Sequence, residues 1–108
     1  MAPNTARQLQ RGQWQVSAEI DLHGLGIEQA RQTVLSFLSD CEKRGLRCIC
    51  IVHVKGYGSP GLKPILKNKV RAWLIQTPQV QAFAQAQANA GGSGALLALL
   101  KTKPKGNT

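Results

Sequence analysis

The chain is poor in three things, and each shortage narrows what it can do. Acidic residues stop at Glu42: from Lys43 to Thr108 there are eleven lysines and arginines and no aspartate or glutamate. Aromatic residues are 5% of the 108 positions, too few for a surface that reads single-stranded bases by stacking. Long apolar runs are missing as well. The longest is Ala95–Leu100, far short of the ~20 residues that cross a bilayer, so no membrane partner is expected. Cys41, Cys48 and Cys50 are an odd count with no CxxC pair. The opening MAPNTARQLQ has no apolar core of a secretory signal. Reduced thiols and a cytoplasmic location are therefore expected. Two histidines and three scattered thiols do not have the spacing of a zinc site, and neither a metal nor another cofactor is expected.

What is present suits one folded domain. The chain is 43% hydrophobic, and at this length it buries roughly two-thirds of the surface its unfolded form exposes, with no need for disulfides. The net charge is +9, concentrated in the acid-free second half. Such a stretch inside a folded domain points to a polyanion partner. The plain alternative is a basic, well-solvated surface. A monomer is expected.

Residues 1–15 lack hydrophobic periodicity and read as a flexible arm, with Trp14 as a docking point. Val16–Leu22 alternates and ends at His23–Gly24, which is a strand and a turn. Ile27–Arg44 carries apolar residues at Ile27, Ala30, Val34, Phe37, Leu38 and Cys41, one face of a helix, with Gly26 as N-cap and Gly45 past its end. Cys48–His53 is a buried strand, followed by a glycine-rich loop. A second helix spans Leu62–Gln76, with Pro64 in its first turn and Lys63, Lys67 and Arg71 as a basic stripe. Residues 79–87 alternate, placing Gln79, Gln81, Phe83, Gln85 and Gln87 on one face and Val80, Ala82, Ala84 and Ala86 on the other. Ala95–Leu100 is apolar on both faces, an inner strand, and leaves the Gln-rich strand at the edge. The domain is read as residues 16–101, with a basic disordered tail at 102–108.

The order β-α-β-α-β-β predicts an α/β two-layer sandwich: a four-stranded mixed sheet with both helices on one face. The carboxyl ends of its three parallel strands share an edge, the expected binding edge of an open α/β sheet. Asp21, His23, His53 and Lys55 fall there. So do two glycine loops whose backbone N–H groups suit phosphate: Gly56, Gly58 and Ser59 in the first, Gly91, Gly92 and Gly94 in the second. Lys63 and Lys67 extend this set along the second helix. Each piece has a structural reading too: Asp21 as a turn cap, the glycines as a tight hairpin, a strand-end histidine as a packing residue.

Three segments carry a family resemblance. Ile20-Asp21-Leu22-His23-Gly24 resembles the LDLHG box of the Smr (small MutS-related) domain. His53-Val54-Lys55-Gly56-Tyr57-Gly58-Ser59 resembles its HGKGxGS loop, and Gly91-Gly92-Ser93-Gly94-Ala95 its GGxGA signature. The match covers roughly residues 18–101, the stand-alone bacterial type. Val54 stands where the family has glycine, and Gly26 where it has Thr or Ser. The resemblance implies sheet order 1-2-4-3 and a fold similar to the C-terminal domain of translation initiation factor three. It also implies a nucleic-acid-binding, often endonucleolytic, activity on DNA or RNA, including messenger RNA on stalled ribosomes. The family's first-box acid and histidine are here Asp21 and His23, and its second-box lysine and glycines are Lys55, Gly56 and Gly58.

Three functions follow as expectations. The first is an endonuclease that cleaves phosphodiester bonds, with His23 as acid–base, Asp21 orienting it, and Lys55 and the loop amides stabilising phosphate charge. Five acids in the whole chain are few for holding Mg²⁺, so metal-independent cleavage is expected, which favours RNA, whose 2′-OH is the nucleophile. The second is a non-catalytic RNA- or DNA-binding module, associated with the ribosome or with repair. The third is a protein-interaction domain whose open sheet face surrounds Phe83.

Overall fold

A computed structural model describes residues 3–53, 63–86 and 94–101. Helix α2 (Ile27–Lys43) begins at Gly26, extended at φ −68° and ψ 168° and without a side-chain cap. Its end is tied off more firmly. Gly45 takes φ +73°, its N–H reaching the Glu42 carbonyl at 3.1 Å and the Leu46 N–H reaching that of Cys41 at 3.0 Å. These two bonds satisfy carbonyls that a bare helix end leaves open. Strand β2 (Cys48–Val52) follows at once. Ala30, Val34, Leu38 and Cys41 on α2 are buried, so the stripe read from the sequence is the core face.

Helix α3 (Lys63–Gln76) precedes β3 (Val80–Gln85) and β4 (Ala95–Leu100). With β1 (Ala18–Asp21) the strands form one sheet of order β1-β2-β4-β3, as the resemblance implies. β1 pairs with β2 in parallel, and β4 runs antiparallel to both β2 and β3. β1, β2 and β3 thus point the same way. All six residues of β4 are buried, which explains their apolar character on both faces.

One face of the sheet carries Ile49, Ile51, Leu96, Ala98 and Leu100, packed with the stripes of α2 and α3. The other presents Cys48, Cys50, Leu97 and Leu99, and here the sequence reading needs correction. The arm expected to lack structure contains a helix, α1 (Pro3–Gln10), whose Leu9 is completely buried in that second cluster. The architecture is therefore two helices on one face and a short third on the other. An eight-residue helix is marginal on its own, so α1 owes its form to docking. Burying one leucine is worth about 1.5–3 kcal/mol. A single anchor leaves no apolar stripe to read, which is why periodicity missed the helix.

A second correction concerns β3. A register shift between Val80 and Ala82 puts Val80 on the same side as Phe83, both packed against the helix-pair cluster. Ala84 and Ala86 lie on the α1 side. Phe83 therefore does not border an open face. It sits toward α3, with the Arg71 guanidinium 5.9 Å from its ring centre, so the interaction surface expected around it is not there.

Candidate nucleic-acid interface

β1 is shorter than the sequence suggests, and His23 lies beyond it. The chain leaves β1 at Asp21 and turns: the Leu25 N–H donates to the Leu22 carbonyl at 3.1 Å, with Gly24 at φ +83°. A positive φ in the third place of such a turn is what glycine supplies at no steric cost. The Asp21 carboxylate builds the turn from inside. Its Oδ1 accepts the His23 backbone N–H at 3.0 Å and lies 2.9 Å from His23 Nδ1. The two side chains meet because the carboxylate folds the backbone back, and not because they alternate along a strand. The capping reading of Asp21 holds, and the same oxygen also lies beside the imidazole.

A carboxylate only accepts hydrogen bonds, so its place beside Nδ1 favours the tautomer with the proton there and leaves Nε2 as the ring nitrogen turned to other partners. The His23 side chain is 59% exposed. The pair is thus a solvent-facing imidazole oriented by an acid, which is the arrangement general acid–base chemistry uses.

His53 differs. Its backbone N–H donates to the Gly94 carbonyl at 2.8 Å, and the residue is 3% exposed. Neither ring nitrogen has a partner among the described residues. Burial, with the Lys67 ammonium second, pushes its pKa down to about 4. A neutral, enclosed ring offers no charge to a phosphate.

Lys67 is not a freely solvated member of a stripe. It is half-buried, and its Nζ donates to Gln85 Oε1 at 2.8 Å. With Arg71 over Phe83, two cations of α3, Lys67 and Arg71, lie along the edge strand β3. Gln85 is a residue that sequence reasoning missed. Its side chain accepts from Lys67, and its backbone carbonyl accepts from Gln10 Nε2 at 3.0 Å. Nothing in the sequence distinguishes it from the other glutamines of that strand.

The ends of β1, β2 and β3 and the start of β4 therefore bring together Asp21–His23, His53, Lys67–Gln85 and Gly94. Lys63 opens α3. Lys55, Gly56, Gly58, Ser59, Gly91 and Gly92, with the departure at Val54, lie outside the described residues, as does the 102–108 tail. Among the described residues no group of three or more His, Cys, Asp or Glu gathers as a metal site, and no helix is long and apolar enough to cross a membrane.

Comparison with known proteins bears on this edge. Ribosome rescue factors named SmrB from Shewanella putrefaciens and Tolumonas auensis are 39% and 37% identical over 94 and 95 residues, or 87% and 88% of this chain. The chain spans about half the length of these relatives, 50% and 51%. Among solved structures, YdaL, a stand-alone small MutS-related protein from Escherichia coli, superposes with a TM-score of 0.78 at 29% identity. That match covers 94% of this chain and 78% of the other. The Smr domain of Thermus thermophilus MutS2 superposes with a TM-score of 0.68 at 30% identity, covering 78% of this chain and 98% of that one. The model of the Smr domain matches residues 20–101, which takes in the Asp21–His23 turn, both helices of the core and all of β4, and the chain belongs to the Smr domain family.

Proposed function

We propose that this chain is an RNA-binding Smr module that works with the ribosome in the cytoplasm, as a monomer. The observation that carries the reading is the Lys67 ammonium held at the end of β3 by Gln85, on the same sheet edge as the turn that carries His23. Lys67 belongs to the acid-free basic half of the chain, and the relatives are named ribosome rescue factors. Phosphate contacts by Lys63 and Lys67, and by Lys55 with the amides of Gly56, Gly58, Ser59, Gly91, Gly92 and Gly94, would give sequence-tolerant binding. Its affinity should fall steeply with salt. Fluorescence anisotropy of labelled oligoribonucleotides at several salt concentrations tests this. A salt-insensitive complex, or none, refutes it.

One observation favours a further step, cleavage of the bound RNA: the 2.9 Å contact between His23 and Asp21. In this reading Nε2 takes the proton of a ribose 2′-OH. The 2′-oxygen bonds to phosphorus and the bond to the 5′-oxygen breaks. The leaving oxygen takes a proton from water, which yields a 2′,3′-cyclic phosphate and a 5′-OH. Asp21 holds the imidazole and stabilises its charged form, while Lys55 and the loop amides meet the charge growing on phosphate. Cleavage is expected to persist in EDTA and to spare DNA. Loss of activity in chelator with recovery in Mg²⁺ would recast Asp21 as a metal ligand.

A further inference from the structure

The family match begins at residue 20, so α1 and the chain up to β1 lie outside it and have no role in the site as described. The packing of α1 gives them one. Leu9 points into the sheet among Cys48, Cys50, Leu97 and Leu99. At 100° per residue, positions 7 and 11 lie on the side of the helix opposite position 9. Arg7 and Arg11 occupy those positions, and both are exposed. They stay in helical register, because the Arg11 N–H donates to the Arg7 carbonyl at 3.1 Å. The end of α1 is fixed in place by Gln10 Nε2, which donates to the Gln85 carbonyl, while the Gln85 side chain accepts from Lys67 Nζ. One residue of β3 thus joins the end of α1 to the basic rim of α3.

We propose that Arg7 and Arg11 continue the RNA-binding surface from the sheet edge onto the outer face of α1. The occupant is the phosphate backbone of single-stranded RNA running past Lys67. This rests on the binding function proposed above. The charge balance supports it. Residues 1–18 contain these two arginines and no acid. The acids on this side of the sheet, Glu19 and Asp21, belong to β1, the opposite edge strand, with β2 and β4 between. At roughly 4.8 Å per strand, they are too far across the sheet to neutralise α1.

The test uses the full chain and a fluorescein-labelled 20-nucleotide oligo(U), beside a 6-nucleotide oligo(U). In Arg7→Ala/Arg11→Ala the slope of log K against log salt should become shallower by about 1.4 for the 20-mer, about 0.7 for each lost single-strand phosphate contact. The 6-mer, which occupies the edge alone, should bind both proteins alike. Lys43→Ala/Arg44→Ala removes the same charge at the far end of α2 and should leave the slope unchanged. Circular dichroism of each variant establishes that α1 is retained, since neither arginine packs in the core. Wild-type binding with an unchanged slope in Arg7→Ala/Arg11→Ala overturns this inference alone. An equal loss in Lys43→Ala/Arg44→Ala overturns it too, because the effect is then net charge and not place. Absence of binding by the wild type overturns both this inference and the function on which it rests.

Discussion

His23 and His53 follow neighbouring parallel strands whose last residues, Asp21 and Val52, sit side by side, yet they inhabit opposite environments. β1 is an edge strand, so the turn after it has a neighbour on one side only. The His23 side chain remains 59% exposed and paired with a carboxylate. β2 lies between β1 and β4, so His53 is closed in by Gly94 on one flank and by Lys67 from α3. The same residue type at the end of neighbouring strands thus becomes a solvent-facing imidazole after one and an enclosed neutral ring after the next. Place in the sheet order decides between the two.

The sharpest way to break this comparison is to remove each imidazole. With RNA as substrate, His23→Ala should lower cleavage by at least ~100-fold, the usual scale for a lost general base, while leaving the melting temperature nearly unchanged. Asp21→Asn should cost nearly as much rate. Its amide oxygen still accepts the His23 N–H, so the turn survives and the carboxylate is lost. A folded His23→Ala that cuts at the wild-type rate would end the cleavage reading and leave binding alone.

The second effect is on stability, and its sign follows from His53 being held neutral. Its pKa is about 4 in the fold against ~6.5 in an unfolded chain. Between those values the unfolded chain binds a proton that the native chain refuses. Stability from this residue is complete above pH 6.5, falls as the pH drops, and reaches its full loss of about 3 kcal/mol below pH 4. At pH 5 the loss is about 2 kcal/mol. Denaturant unfolding of wild type and His53→Gln across pH 7 to 4.5 measures it, and the variant should show the shallower decline. Parallel curves would mean that His53 titrates normally.

A smaller effect sharpens the same contrast. Lys67→Met removes the second cause of the His53 shift, so the ring should titrate above about 4, as followed by NMR of its imidazole protons, because burial remains and the nearby charge does not. The smallest effect lies at the start of α2. Nothing stands within 4 Å of a Cβ added at Gly26. Gly26→Ser, which restores a side-chain cap, should stabilise by a few tenths of a kcal/mol, read as a small rise in melting temperature.

The parts of the fold legible in the sequence were those whose residues obey one periodicity over several turns. The stripe from Ala30 to Cys41 and the doubly apolar Ala95–Leu100 are of this kind. Sheet order came from the resemblance of three short motifs. The parts that stayed hidden depend on a single side chain or a single residue of register. Leu9 is the apolar anchor of α1. One irregularity before Ala82 turns Val80 to the other face. At the site, Asp21 and His23 were legible as a pair, but the reason they touch was not. It lies in a turn that the carboxylate itself helps to form. The joint role of Gln85 depends on α1, so it could not be seen before that helix was.

The three thiols divide between the two layers: Cys41 belongs to the cluster beneath α2 and α3, and Cys48 and Cys50 to the one beneath Leu9. Burial pushes all three thiols up, Cys50 to about 11, so none forms thiolate readily while its cover is in place. The molecule therefore has its own clocks for local opening, one for each side. Alkylation of Cys48 and Cys50 times the lifting of α1, and that of Cys41 times the opening of the main core. Leu9→Ala should speed the first and leave the second at the wild-type pace, and mass spectrometry of the labelled peptides would separate an N-terminal helix that lifts on its own from one that leaves only when the whole domain unfolds.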